Sequence, residues 1–250
     1  MFYKAIVAAA MCGSIVSGAQ AQSISLAPGS TVAGYLPLAL FGVAPVAGMT
    51  GDGHKALVIP TITFAGQAWT RIEVSENGFV TLGNAALPAS LWTSANLSLP
   101  DTGIAAPILA PFWSDIDSTG GGIRIGSLTD GIGNWLVVDW ADVRLADNSI
   151  ASFQIWLGYN GFEEINYTYG DEDISAAAFT VGAQDASGTV GTNYRYNSGS
   201  IAADTGLVVT TRGLPLPPVP EPASWALMIG GFALAGAALR HPARRQICFA

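Results

Sequence analysis

The chain has 250 residues, with 10 Lys or Arg against 18 Asp or Glu and only two cysteines. The acidic balance argues against a partner that is nucleic acid or anionic lipid, because phosphate contacts need Lys and Arg. Two cysteines also exclude a small disulfide-rich scaffold, so apolar burial must stabilise the core.

The first 21 residues have the features of a secretory signal peptide. Lys4 supplies a positive start, residues 5–16 form a short apolar run, and Ala19 and Ala21 make a small-x-small cleavage site. We predict an N-terminal signal helix over residues 1–21 that is cleaved before Gln22, since the apolar run is too short for an anchor.

The interior is predicted to be all-β. Residues 23–50 are apolar but loosely patterned and predict an N-terminal strand pair. Turn residues such as those at Asn77-Gly78 separate the later segments, which are rich in β-branched and aromatic residues. These segments are residues 57–64, 69–74, 78–82, 123–125, 135–140, 152–159, 164–169, 179–183, 193–196 and 207–211. No sustained helical period interrupts them, so we expect one antiparallel β-sandwich-like domain over residues 22–212.

Two aspartates in the middle of the chain are candidate metal ligands. Asp115 and Asp117 are two residues apart, so on an extended segment they share a face about 7 Å apart. With backbone carbonyls and a third carboxylate such as Asp130 they could hold Ca²⁺, which takes six to eight oxygen ligands. The alternative is that they accept hydrogen bonds from loop N–H groups.

Trp156 is a candidate contact for carbohydrate. Phe153, Ile155 and Leu157 alternate on one face of a strand that we expect to be half-buried, and Trp156 lies on the other face. If that face is solvated, an exposed indole there could stack on a sugar. If both faces are buried, Trp156 is a core residue.

No catalytic constellation is found. Glu163 and Glu164 are adjacent on a predicted strand and point to opposite faces, so they cannot flank one glycosidic bond. Cys12 and Cys248 lie in the terminal segments, which leaves no thiol in the interior, and His54 has no second His or Cys beside it for zinc. The sequence therefore predicts a protein that is not an enzyme.

The C-terminal region has the features of a targeting segment. Residues 213–220 contain four prolines and predict an extended spacer. Pro220, Glu221 and Pro222 precede an uncharged run over residues 223–239, which at about 1.5 Å per residue is just long enough to span a bilayer. Arg240, Arg244 and Arg245 follow, and by the positive-inside rule they predict a cytoplasmic C-terminus after a single transmembrane helix.

This order of Pro-Glu-Pro, apolar helix and basic tail (residues 219–245, with the tail at 240–245) resembles the PEP-CTERM sorting signal of Gram-negative bacteria. The resemblance implies recognition and cleavage by an exosortase, a transient tether in the inner membrane, and a final location at the cell surface or outside the cell. Without both terminal segments, six Lys or Arg and 17 Asp or Glu remain, a net charge of −11.

The strands carry a second resemblance, to the nidogen-like (NIDO) extracellular domain. Residues 76–83 read ENGFVTLG and residues 108–117 read ILAPFWSDID, and similar landmarks continue at Trp140 and residues 153–157 and 165–169. The resemblance implies an extracellular domain without catalytic activity.

Two functions follow as hypotheses. The first is a non-catalytic structural or adhesive protein of the cell surface or of an exopolysaccharide, biofilm-type matrix. The second is a carbohydrate-binding or carbohydrate-active protein of the same matrix, with calcium as an optional ligand.

Overall fold

The computed structural model describes residues 22–83, 87–93 and 95–213, and residues 22–213 group into one compact unit. The predicted signal helix, transmembrane helix and basic tail, and all of the spacer after residue 213, lie outside the described residues. Within the part of the chain that the structure describes, no helix has the length and apolar character needed to cross a bilayer.

Thirteen strands and two short 3₁₀ helices form the described part. The strands are β1 (Gln22–Pro28), β2 (His54–Phe64), β3 (Gln67–Ser75), β4 (Val80–Leu82), β5 (Ile108–Ser114), β6 (Ile116–Asp117), β7 (Gly122–Thr129), β8 (Asn134–Leu145), β9 (Ile150–Gly158), β10 (Ile165–Tyr169), β11 (Phe179–Gln184), β12 (Gly191–Tyr196) and β13 (Gly206–Gly213). The 3₁₀ helices are Leu38–Phe41 and Ala89–Leu91. The all-β prediction is confirmed.

The strands form two antiparallel sheets. The first sheet has the order β1-β13-β10-β9-β8, and β6 and β7 both pair with the far side of β8. The second sheet has the order β12-β11-β5-β4-β3-β2. The last strand of the domain pairs with the first, so Gln22 lies opposite Gly213 and both ends of the domain emerge side by side.

The main core lies between the inner faces of the two sheets. Trp140, Phe153 and Tyr167 of the first sheet pack towards Phe112 and Phe179 of the second. The rings of Phe112 and Phe153 are 5.6 Å apart, a favourable aromatic contact across the sheets. The Tyr167 hydroxyl donates to the Gly182 carbonyl at 2.9 Å, so the two sheets are joined by hydrogen bonds as well as by apolar burial.

The outer face of each sheet is also covered. The described residues among 87–107, here called the cover loop, pack Leu91, Leu99 and Ile104 on Phe79 and Trp113 of the second sheet. The predicted N-terminal strand pair over residues 23–50 is found only in part: β1 is present, but residues 29–47 contain no second strand. They instead cross the outer face of the first sheet, and we call them the strap.

The strap changes the prediction for β9. We expected a half-buried strand, but the residues from Phe153 to Gly158 are buried on both faces of the sheet. The reason is that alternation of apolar side chains identifies the inner face, whereas the covering of the outer face depends on a segment more than 100 residues away in sequence.

Candidate functional site

Trp156 lies beneath the strap and does not form an exposed stacking platform. Its side chain is 3% exposed, and it packs in a separate apolar cluster with Leu38, Trp135 and Val137. The indole Nε1 donates to Gln154 Oε1 and to Thr168 Oγ1, both at 3.1 Å. The ring is therefore fixed by packing and by hydrogen bonds, as expected of a residue that holds the strap on the sheet.

Asp115 and Asp117 lie where the chain passes from the second sheet to the first, and both are exposed. Asp117 Oδ1 accepts the Thr119 amide at 2.9 Å. Hydrogen bonds from the Thr119 side chain and backbone hold the pKa of Asp117 below its ordinary value. This is the loop-capping arrangement that the sequence left as the alternative to a metal site.

Asp130 lies far from these two residues. It follows β7, and its Oδ1 accepts the amides of Ile132 and Gly133 at 2.9 and 2.7 Å. These backbone hydrogen bonds lower the pKa of Asp130. In the strand register, Asp117 of β6 lies opposite Arg144 at one end of β8, whereas β7 ends opposite Asn134 at the other end of β8.

The eight residues of β7 alone extend about 26 Å, so the structure does not bring the three aspartates to one site. In residues 22–83, 87–93 and 95–213, no three His, Cys, Asp or Glu side chains gather in a way suited to a metal ion. Calcium binding at Asp115 and Asp117 stays a prediction without the proposed third carboxylate.

The two sequence landmarks around residues 76–83 and 108–117 form a buried hydrogen-bonded junction. Glu76 is fully buried, and its Oε1 accepts the amide and hydroxyl of Ser118 at 3.0 and 2.7 Å. The Asn77 side chain donates to the Trp92 carbonyl and accepts the Ile116 amide, and Asp52 accepts its second N–H. These polar residues satisfy loop backbone groups and are therefore architectural.

Asn77 and Gly78 lie in the predicted turn, but it is not the type I′ turn that an Asn-Gly dipeptide favours. A type I′ turn needs positive φ at both central residues. Gly78 has φ +79°, whereas Asn77 is not among the residues with positive φ. A Cβ at Gly78 would lie 1.9 Å from the Phe112 carbonyl oxygen. The glycine is therefore required by a close approach of two backbones, in addition to its φ.

A row of polar side chains on the outer face of the first sheet holds the strap. Asn166 on β10 accepts the Thr31 amide at 3.1 Å, and Gln154 on β9 accepts the Leu36 amide at 3.1 Å and donates to the Leu36 carbonyl. Asp139 on β8 accepts the Leu38 amide at 2.9 Å. The strap therefore crosses three strands and is hydrogen-bonded by one side chain from each of them.

Asp139 is the most unusual member of this row. It is fully buried, and its Oδ1 has no hydrogen-bond partner among the described residues. Burial raises the pKa of Asp139, because removal from water disfavours the carboxylate. The Leu38 amide, Gln154, Tyr35 and Arg124 all act in the opposite direction and do not offset it. The same environment raises the pKa of Tyr35, chiefly by burial and then by the charge of Asp139.

A cavity of about 180 Å³ opens at one side of the strap. Its walls are mainly apolar and include Leu36 and Phe41 of the strap with Leu128, Trp135 and Trp156 of the sheet. Asp130, Thr31 and Thr129 add a few polar groups. Ligand sites commonly combine apolar walls with a few polar groups, so this cavity is the best candidate binding site in the described part of the chain.

Sequence reasoning identified Trp156 and Asp130 but not the site that contains them. It missed the strap, Trp135 as a lining residue, and the polar row Asn166, Gln154 and Asp139. A signal was present, because each of these polar residues interrupts an otherwise apolar strand at a position that faces away from the inner core. The predicted sorting and cleavage residues lie outside the described residues; they are Ala19, Ala21, Pro220, Glu221, Pro222, Arg240, Arg244 and Arg245.

Comparison with protein families gives two matches. A family model described as NIDO related matches residues 30–214, about three quarters of the chain. A model of the PEP-CTERM protein-sorting motif matches residues 218–245. No curated protein and no solved structure matches the chain significantly. The sorting motif implies recognition by an exosortase, and the two matches together imply export and a location at the cell surface or outside the cell.

Proposed function

Because the chain belongs to the NIDO-related family and carries a PEP-CTERM sorting motif, we propose that it is a non-catalytic structural or adhesive protein of the cell surface or exopolysaccharide matrix. The observation that carries this proposal is the order of the two matches. An extracellular-type domain ends at residue 214, and the sorting motif begins four residues later.

The proposal includes the steps by which the chain reaches the cell surface. The signal peptide directs export, the apolar segment over residues 223–239 tethers the chain in the inner membrane, and an exosortase cleaves near Pro220-Glu221-Pro222. The domain is then retained in the matrix or released. The acidic charge supports a solvated envelope protein, and the three glycines and the absence of charge in residues 223–239 suit a temporary tether.

The buried polar groups support a non-catalytic role. Glu76, Asn77 and Asp139 are the polar residues whose burial suggests chemistry, but each accepts hydrogen bonds from backbone amides of a neighbouring segment. Their arrangement fixes the cover loop and the strap, and it leaves them inaccessible to a polymeric substrate.

A second candidate function is carbohydrate binding in the same matrix. The observation that favours it is the cavity itself, because mainly apolar walls with a few polar groups are common in ligand sites. The cavity volume of about 180 Å³ limits such a ligand to about one ring. Co-sedimentation with the host exopolysaccharide, compared between the natural chain and Phe41→Ser, tests this function. Equal sedimentation of the two chains argues against the cavity as a sugar site.

The main proposal is tested by fractionating a host that lacks its exosortase. We expect the full-length chain to accumulate in the inner membrane, and mass mapping in the parent strain to place the mature C-terminus near Pro220. A matched chain with Glu221→Ala, expressed in the parent strain, should also accumulate at full length in the inner membrane. Unchanged surface delivery in the deletion strain would contradict the sorting route.

A further inference from the structure

The cavity beside the strap is bounded by three aromatic side chains. Trp135 and Trp156 belong to the outer face of the first sheet, and their rings lie 6.1 Å apart and nearly perpendicular, at 73°. Phe41 of the strap is 54% exposed and adds a third ring at the surface. The other apolar residues of the wall are Val32, Ala33, Leu36 and Leu128. A ligand in this cavity would therefore contact mainly apolar surface.

The two hydroxyl groups of the wall are already hydrogen-bonded within the domain. Thr31 Oγ1 is paired with the Asn166 side chain. Thr129 Oγ1 donates to the Gly133 carbonyl at 2.7 Å and accepts the Gly131 amide at 3.0 Å. Neither threonine therefore offers a hydroxyl that a ligand could use without breaking a bond of the fold.

Asp130 is the polar residue of the wall that keeps a free oxygen. The amides of Ile132 and Gly133 both donate to Oδ1, and no hydrogen bond from another described residue reaches Oδ2. These amides lower the pKa of Asp130, so the carboxylate is charged at neutral pH. The Trp135 Nε1 also lacks a partner, but it is buried and gives a ligand no point of contact. Among its described residues, the wall contains no Lys, Arg or His.

We propose that this cavity binds a small organic cation, an ammonium ion with an apolar body of about one ring. Charge-assisted hydrogen bonds to Asp130 Oδ2 would hold the ammonium group, and aromatic faces attract a cation as well. The volume suits such a ligand. An apolar cavity of about 150 Å³ holds benzene, so about 180 Å³ has room for one six-membered ring and a short substituent.

Other classes of small ligand fit this wall less well. An anion would be repelled by Asp130 and by the net charge of −11 that remains without the terminal segments. A neutral sugar would bring several hydroxyls into a cavity whose own hydroxyls are paired, and hydroxyls left unpaired cost binding energy. The cation competes with the sugar of the second candidate function for the same cavity, and its binding does not depend on the matrix role.

The test compares two ligands of the same shape, benzylamine, which is protonated at neutral pH, and neutral benzyl alcohol. Each is titrated into the ¹⁵N-labelled full chain in micelles of a non-ionic detergent. We expect benzylamine to move the indole N–H signals of Trp135 and Trp156 and to leave that of Trp113, on the other sheet, in place. Its dissociation constant should be about threefold lower than that of benzyl alcohol or less still. This preference should shrink at about 1 M salt, which screens the charge of Asp130.

Variants separate the charge from the shape of the site. Asp130→Asn keeps an oxygen for the Ile132 and Gly133 amides but removes the charge, so the preference for benzylamine should disappear. Asp147→Asn is the matched control, because Asp147 is another exposed aspartate that accepts a loop amide, from Ser149, and it lies outside the cavity wall. Its preference for benzylamine should equal that of the natural chain.

Three results would overturn the proposal. The first is equal affinity of the natural chain for the two ligands, or no movement of the Trp135 and Trp156 signals with either of them. The second is a preference for benzylamine that persists in Asp130→Asn. The third is a response of the same signals to methyl glucoside at lower concentration than to benzylamine, which would assign the cavity to a neutral sugar.

Discussion

Glu76 and Ser118 are joined by two hydrogen bonds to one carboxylate oxygen, which accepts both the amide and the hydroxyl of Ser118. The other oxygen of Glu76 accepts the Gly53 amide at 3.3 Å. One buried carboxylate therefore holds together three segments: the loop before β2, the turn after β3 and the residues after β6. In this way the first of the two sequence landmarks is joined to the second.

The first prediction concerns this carboxylate. In Glu76→Gln an amide nitrogen replaces one of the two accepting oxygens and faces either Gly53 N–H or Ser118 N–H. Because a buried donor without an acceptor is costly, we expect a loss of about 1–3 kcal/mol in the free energy of unfolding. Urea unfolding followed by Trp fluorescence measures the loss. The control Glu172→Gln, at an exposed position, should stay within about 0.5 kcal/mol, and equal stability of both variants would contradict the role of Glu76.

The second prediction concerns Gly78. An added methyl group in Gly78→Ala meets the Phe112 carbonyl oxygen at 1.9 Å, and the φ of +79° disfavours any residue with a Cβ. We expect a destabilisation above about 4 kcal/mol, enough to abolish soluble expression. Gly120→Ala is the matched control, because nothing lies within 4 Å of its added Cβ. Normal expression and melting of Gly78→Ala would show that the two backbones can separate at little cost.

The inner faces of the sheets were predictable from the sequence. Phe153, Ile155 and Leu157 alternate in the period of a strand, and all three face the main core, as do Ile165 and Tyr167 in the neighbouring β10. This succeeded because alternation with a period of two is a local property that directly determines which side chains share a face.

The outer layers were not predictable in the same way. The strap and the cover loop have no regular spacing of apolar residues, and their positions are determined by long-range hydrogen bonds such as those from Leu36 to Gln154 and from Asp101 to Gln184.

Asp130 was grouped with Asp115 and Asp117 because the sequence shows only that carboxylates are available. The strand that separates them was itself predicted at residues 123–125, shorter than it is.

The third prediction concerns calcium. Two exposed aspartates without a third carboxylate supply too few oxygens for a tight Ca²⁺ site. We expect the melting temperatures in excess calcium and in EDTA to agree within about 1 °C. Saturation of a real site would add about 2.7 kcal/mol at 100 times the dissociation constant, which is several degrees for a domain of this size. An increase of that size, lost in Asp117→Asn, would restore a calcium site at this position.

The fourth prediction concerns the pH dependence of stability. The pKa of Asp139 is raised in the folded state, so the folded chain retains this proton at pH values where the unfolded chain has lost it. Stability therefore falls as pH rises from the ordinary carboxyl value of about 3.9 to the raised pKa. Asp139→Asn removes this titration.

We expect the melting temperature of the natural chain, relative to Asp139→Asn, to decrease as pH rises through that window. Asp117→Asn is the control with the opposite sign: its pKa is lowered, so the stability that it contributes is lost as pH falls, and because it is exposed the effect should be small. Parallel melting curves for the natural chain and Asp139→Asn from about pH 3 to 7 would contradict the buried carboxyl.

The last prediction separates the three anchors of the strap. Gln154 both accepts the Leu36 amide and donates to the Leu36 carbonyl, whereas the Leu38 amide is held by Asp139. In Gln154→Ala the Leu36 amide loses its acceptor, and we expect its hydrogen exchange to accelerate by about tenfold or more, which corresponds to about 1.4 kcal/mol of local stability. The Leu38 amide in the same chain is the internal control and should change much less. Equal acceleration at both amides would mean that the strap opens as one unit, with Asn166, Gln154 and Asp139 acting together and not as independent anchors.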